Sequence, residues 1–287
     1  MKIKDLFNNS DLVFSCEVFP PKPDSDVKII HSTIERLSEI KPDYISVTYG
    51  AGGGTKDSTI EISSSIIKKF NMEALMHLTC IDASVDDMRK ILHQLKDNTV
   101  ENILALRGDL PVGKQKHEVL FDYKYASDLV KFIKQNGNFC IGVAGYPEVH
   151  HESHTMRKDI MYLKNKVENG ADFINTQLFF KNDFFFNFID NIRSAGINIP
   201  VSAGIMPIYK ARMIKRIVEL SHASIPSKLA SLLDKYSHDD ADMEKAGLEF
   251  ASCQISGLLE QGVEGIHLYT MNNADIAFKI AKNLNLR

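Results

Sequence analysis

The 287-residue sequence has no tryptophan and only four cysteines, Cys16, Cys80, Cys140 and Cys253. No two of these form a C-x-x-C pair, so zinc-ribbon and thioredoxin-type motifs are absent. Three lie inside apolar runs, where thiols behave as small buried hydrophobes of a reducing compartment rather than as disulfide partners. Excess positive charge is missing too. The formal net charge is -3, which offers no general basic footprint for nucleic acid. No apolar run approaches the ~18 residues of a membrane span. Met1 to Phe7 alternates charged with apolar residues and lacks a signal-peptide core. No Pro-, Ser- or Gly-rich linker, repeat or low-complexity segment divides the chain. The expectation is a single-domain cytoplasmic protein with no nucleic-acid or membrane partner.

What is present is a regular alternation. Short apolar runs recur at Val13–Phe19, Tyr44–Thr48, Ala74–Leu78, Ile103–Leu106, Cys140–Ala144, Phe173–Thr176, Val201–Ala203 and Gly265–Tyr269. Several are apolar nearly throughout, as expected of strands covered on both faces. Amphipathic segments at Val27–Ile40, Ser58–Phe70, Val85–Lys96, Ala126–Gln135 and Asp159–Asn169 fall between them and predict helices. Asp86 and Asp87 suit a helix start, and Gly170 a stop. The pattern predicts a (β/α)8 TIM barrel over residues 1–287. It carries one extended helical connection between strands seven and eight, Pro207 to Gly262, with helical stretches near Tyr209–Leu220, Pro226–Tyr236 and Asp240–Gln261.

Barrels of this kind place their active sites at the C-terminal ends of the strands. Those ends carry Glu17, then Thr48 and Tyr49 with the loop Gly50–Thr55, then His77 and Thr79. Arg107, Gly108 and Asp109 follow, then Tyr146, Glu148 and His150, then Gln177 and Tyr269. Glu17 lies inside an apolar strand, where charge is costly unless paired. A structural ion pair and a proton-transfer role both fit, and the second is the better supported. The glycine-rich loop lacks the Lys-Ser/Thr of a P-loop, and Thr55 stands at the last glycine position of G-x-G-x-x-G. His150, His151 and His154 lack the H-E-x-x-H spacing, so no metal is expected. Arg107-Gly108-Asp109 also spells a cell-adhesion tripeptide, a coincidence inside a barrel. The phenylalanines from Phe179 to Phe188 read as core.

Nine segments in order are similar to those of the bacterial methylenetetrahydrofolate reductases, which are flavin-dependent barrels. They are CEVFPPK (Cys16–Lys22), YISVTYGAGGGTKD (Tyr44–Asp57), HLTCID (His77–Asp82), ILALRGDLP (Ile103–Pro111), YASDLV (Tyr125–Val130), GYPEVH (Gly145–His150), TQLFF (Thr176–Phe180), GIMP (Gly204–Pro207) and HLYTMN (His267–Asn272). Each alone is weak; the ordered set is specific and spans nearly the whole chain.

The resemblance implies FAD held without covalent attachment and NADH as reductant. It implies ping-pong reduction of 5,10-methylenetetrahydrofolate to 5-methyltetrahydrofolate for methionine biosynthesis. It implies a homo-oligomer, with a tetramer expected, and no C-terminal regulatory domain. Glu17 matches the general acid that protonates the folate at N10 and opens the imidazolidine ring to a 5-iminium cation. Asp109 matches the aspartate between flavin and folate, where a carboxylate tunes the cofactor and stabilises that cation. Gln177 matches the glutamine that holds the pterin or the nicotinamide amide, and Thr48 a residue near the nicotinamide. The implied flavin contacts are Tyr49, Ala51, His77, Arg107, Gly108, Asp109, Ala126, Tyr146, His150, Asp159 and Lys166. Arg107 and Lys166 suit pyrophosphate oxygens.

The chain departs from the family pattern at four places. Tyr162 and Asn165 stand where Asn and Arg are usual, Met213 where a substrate-side glutamine is usual, and Asn273 where an arginine is usual. Lys210 and Arg212 are nearby basic residues. Three other readings compete. A flavin barrel of proline-dehydrogenase type is opposed by the EVFPP and RGDLP segments. A Schiff-base aldolase is opposed by Gln177, which stands where strand six would offer its lysine. A flavin-binding subunit without turnover is opposed by the presence of both Glu17 and Asp109.

Overall fold

Apolar runs too short for helices become eight parallel strands, and the amphipathic segments between them become the helices that cover them. A computed structural model describes residues 1–21, 27–49, 56–110, 113, 119–120 and 122–286. The strands are β1 (Val13–Val18), β2 (Tyr44–Val47), β3 (Glu73–Thr79) and β4 (Asn102–Leu106). They continue as β5 (Cys140–Gly145), β6 (Phe173–Thr176), β7 (Val201–Ile205) and β8 (Gly265–Tyr269). They follow one another in spatial order, and β1 pairs with β8 to close the barrel.

The helices outside the barrel are α2 (Val27–Ser38), α3 (Lys56–Phe70), α4 (Val85–Asp97), α5 (Ala126–Asn136), α6 (Met156–Glu168) and α7 (Asn182–Ser194). The connection from β7 to β8 holds α8 (Met213–Ser221), α9 (Ser227–Tyr236) and α10 (Asp240–Leu259), and α11 (Ala274–Asn283) follows β8. A short helix, α1 (Ile3–Asn9), precedes β1; its Ile3 and Phe7 pack with Phe173 at the amino end of the barrel. Local signals set the ends. Ser84 caps α4 in a reciprocal box with Asp87. Gly170, at φ 113, takes the left-handed turn after α6.

Strand periodicity sorts each strand into two sets. One set, including Cys16, Val18, Ile45 and Val47, packs beneath the helices in the main core. The other fills the barrel. At the amino end that filling is mainly apolar, with Val13, Tyr44, Leu75 and Phe173. Further up it is polar: Ser15, Ser46, Asn175, Ser202 and His267 are each at most 4% exposed. A separate cluster built on Leu178, Phe180, Met206, Ile217 and Met243 binds α8 to α10 over the β6–β7 side of the carboxyl end.

Candidate active site

Glu17 is the last inward-facing residue of β1, in register with Ser46 of β2 and Tyr269 of β8. Its Oε2 lies 3.5 Å from His77 Nε2 and 3.7 Å from His267 Nε2. The carboxyl is enclosed but reachable, at 16% exposure, whereas the two imidazoles are at 8% and 1%. Burial pulls the His77 pKa down to about 4; the Glu17 charge opposes this and His267 adds to it. His77 is therefore neutral near pH 7, and its buried Nε2 makes no hydrogen bond among the described residues.

Polar residues support this group from beneath. His267 Nδ1 shares a 2.7 Å hydrogen bond with Ser15 Oγ, and Ser46 Oγ lies 3.4 Å from Nε2. Tyr269 crosses the barrel and donates its hydroxyl to the Thr176 carbonyl at 2.8 Å. Burial and the nearby Glu17 charge push the Tyr269 pKa well up, so the hydroxyl keeps its proton. Gly204 makes the room: a Cβ there would stand 2.3 Å from the Thr176 oxygen and 2.8 Å from the Tyr269 ring.

The second part of the site is the rim from β4 to α6. Arg107 leaves the end of β4 and forms a very short ion pair with Glu152 of the β5–α6 loop. The pairing raises the Arg107 pKa and lowers that of Glu152. Gly108 has φ +86, and a Cβ there would meet Thr79 Cβ at 2.8 Å, so glycine is required on both counts. Asp109 follows it, exposed.

Tyr146 and His150 meet edge-on at 4.6 Å between ring centroids, and burial pushes the Tyr146 hydroxyl up to about 12. Burial, then the neighbouring His151, lower the His150 pKa. Lys166 reaches in from α6 and donates to the Ala144 carbonyl at 2.6 Å. Burial pulls its pKa down to about 8, opposed by Asp159. A desolvated ammonium of this kind gains from any anion placed beside it.

The other residues expected at the site divide. Asp159 turns inward to its own loop, accepting from the Ser153 hydroxyl at 2.9 Å and from the His150 N–H at 3.3 Å. It therefore shapes the β5–α6 loop. Gln177 Oε1 accepts from the Leu178 N–H at 2.9 Å, which leaves its amide nitrogen for other contacts. Thr48 and Tyr49 continue β2 at the same end of the barrel. Tyr49 carries a buried hydroxyl with no hydrogen-bond partner among the described residues. Ala126 opens α5. Ala51 and the rest of the glycine-rich loop, residues 50–55, lie outside the described residues. His150 and His151 stack at 4.4 Å, and among the described residues no group of three or more His, Cys, Asp or Glu side chains could hold a metal ion.

Sequence reasoning gave His267 no role. Its signal was a polar residue inside the apolar run of β8, two positions before Tyr269 and hence on the same face. Tyr269 stands out in the sequence only as a strand end.

Fold and site together define an α/β-barrel enzyme. An enclosed carboxyl flanked by two imidazoles sits at the carboxyl end, beside a rim suited to an anionic, partly aromatic ligand. Comparison with known proteins is consistent with this class and narrows it. The methylenetetrahydrofolate reductase family description matches residues 2–285. The 5,10-methylenetetrahydrofolate reductase of Escherichia coli K12 is 37% identical over 273 residues, 95% of this chain and 90% of that protein. Methylenetetrahydrofolate reductase (NADH) 1 of Arabidopsis thaliana is 36% identical over 99% of this chain and 50% of its own length. A Clostridium thermocellum protein described as binding two copies of 5-methyl-5,6,7,8-tetrahydrofolic acid superposes with a TM-score of 0.69. It is 16% identical and is covered over 98% of its chain, with 99% of this one, a likeness of fold alone. The chain belongs to the methylenetetrahydrofolate reductase family.

Proposed function

We propose that this protein reduces 5,10-methylenetetrahydrofolate to 5-methyltetrahydrofolate with electrons from NADH, supplying methyl groups for methionine biosynthesis in the cytoplasm. The observation that carries the reading is Glu17, enclosed between His77 and His267 at the carboxyl end of a barrel of this family. Bound FAD would supply the two-electron hydride chemistry that links the two substrates.

The rim fits such a cofactor. Arg107 and the desolvated Lys166 offer charge to pyrophosphate oxygens. Gly108 lets backbone approach a flat ring, and Tyr146 and His150 present aromatic surface. Thr48, Tyr49, His77, Asp109, Ala126 and Asp159, with Ala51 beyond the described residues, complete the proposed cofactor set.

The residues divide the work. Glu17 is the acid that would pass a proton to N10 of the pterin substrate, with a neutral His77 beside it. Asp109 supplies negative charge where the opened ring becomes a 5-iminium cation. Gln177 orients the pterin or the nicotinamide amide with its side-chain nitrogen. Both substrates use one site in turn, which makes the kinetics ping-pong. The proposed assembly is a homotetramer.

The test is spectroscopic. The purified protein is expected to be yellow, to bleach anaerobically with NADH, and to recover its colour when methylenetetrahydrofolate is added. A colourless protein that gains no activity with added FAD would sink the reading.

A further inference from the structure

The turn from β8 to α11, Thr270 to Asn273, grips the end of β1 at three points. Thr270 Oγ1 donates to the carbonyl of Glu17 itself at 2.6 Å. Asn272 Oδ1 accepts from the Phe19 N–H at 2.9 Å, and its Nδ2 donates to the Phe19 carbonyl at 2.9 Å. The backbone register between β1 and β8 ends at the pair Glu17–Tyr269. Side chains therefore continue the pairing after the strands stop, and one carboxamide does what a neighbouring strand would do.

The grip is built into the fold. Thr270 is 2% exposed. Met271 and Asn272 take left-handed conformations, φ 53 and 57, a region in which asparagine is enriched and methionine is uncommon. The Asn273 N–H closes the turn on the Thr270 carbonyl at 2.9 Å, and its side chain caps α11 by accepting from the Ile276 N–H.

Glu17 needs such a grip. Its carboxyl stands 3.5 and 3.7 Å from the two imidazoles, and no shorter side-chain hydrogen bond holds it among the described residues. Its position is therefore set mainly by its backbone.

We propose that Thr270 and Asn272 are positioning residues for Glu17, fixing the end of β1 so that the carboxyl meets the reacting nitrogen of a pterin substrate. The inference rests on the acid role given to Glu17 above. A displacement of ~1 Å at a reacting group costs on the order of a hundredfold in rate.

The test measures the two half-reactions separately by anaerobic stopped flow, on the flavin-loaded protein. Asn272→Ala and Thr270→Val are each expected to slow reoxidation by methylenetetrahydrofolate about 10- to 100-fold relative to reduction by NADH. Thr270→Ser, which keeps the hydroxyl, should restore the ratio to within about 3-fold of wild type. In a Glu17→Gln background, Asn272→Ala should change folate reduction by less than about 3-fold, because residues acting through one group are not additive.

If Asn272→Ala slowed folate reduction as much in the Glu17→Gln background as in wild type, it would act independently of Glu17 and the proposal would be wrong. A full effect of Glu17→Gln with none from Asn272→Ala or Thr270→Val overturns the clamp alone. Should Asn272→Ala lose its flavin, the Thr270→Val and Thr270→Ser pair decides. A Glu17→Gln protein that reduced folate at the wild-type rate would overturn the acid assignment, and the clamp with it.

Discussion

His77 is an imidazole that the fold keeps uncharged, with burial outweighing the attraction of Glu17 and taking its pKa to about 4. The unfolded chain protonates this residue near its ordinary pKa of about 6.5. Between those values the unfolded state binds the extra proton, so stability falls as pH falls through that window. For a side chain only 8% exposed, the shift corresponds to about 2 kcal/mol lost between pH 7 and pH 5. His77→Gln should lose correspondingly less over that interval, as measured by urea denaturation at both pH values. Equal losses in the two proteins would rule out His77 as the source. Glu17 was legible in the sequence because a carboxylate in an apolar strand stands out. His77 was legible as a strand-end residue and, by resemblance, as a flavin contact, but its contact with that carboxylate was not. His267 escaped altogether, because reading only the strand ends passes over inward residues two positions earlier. Which interior side chains meet depends on how the eight strands stagger on closure, and no local pattern carries that.

At the scale of elements, every strand was legible to within two residues, since apolar runs bounded by helical patterns have few other uses. Helices α1, α7 and α11 were not. In α7 the aromatic run hid the period: Phe185, Phe188 and Ile192 are its buried face, yet phenylalanine is a middling helix former. In α11 the start is Asn273, whose side chain works as a cap at a position where the family usually carries an arginine. Helix α1 has only seven residues and is held by tertiary contacts such as Ile3 N–H to Asn102 Oδ1 at 2.8 Å. Helix α10 supplies a pair of glycines with opposite expectations. A Cβ at Gly247 would fall 1.8 Å from the Ile208 carbonyl oxygen, whereas at Gly257 it would meet only the Asn182 amide nitrogen at 3.1 Å. Gly247→Ala must push α10 off the β7–α8 loop and should cost ~1–3 kcal/mol or more. Gly257→Ala should be neutral or gain up to ~1 kcal/mol from helix propensity. Chemical denaturation of both variants checks the contrast, and equal effects would mean that the approach of α10 to Ile208 is not tight.

For the whole molecule, the proposed cofactor should couple folding to pH through Lys166. Its ammonium is desolvated in the fold, and its pKa stands at about 8, below the ordinary lysine value. A phosphate anion beside it would favour the charged form and raise that pKa again. Flavin binding would then take up a proton wherever the pH exceeds about 8. Below that pH the lysine is already charged and affinity is flat. Above it, affinity should fall, by up to about tenfold per pH unit until the pKa of the bound state is reached. Stabilisation by a ligand follows mass action, about 2.7 kcal/mol at a concentration 100 times the dissociation constant. The melting temperature of the flavin-loaded protein should therefore exceed that of the flavin-free protein most clearly at pH 7, and the gap should narrow from pH 8 to pH 9.5. Lys166→Met should bind more weakly and lose this narrowing. A gap that stays constant with pH in wild type, or narrows equally in Lys166→Met, would remove Lys166 from the cofactor site while leaving Arg107 as the cation at that rim.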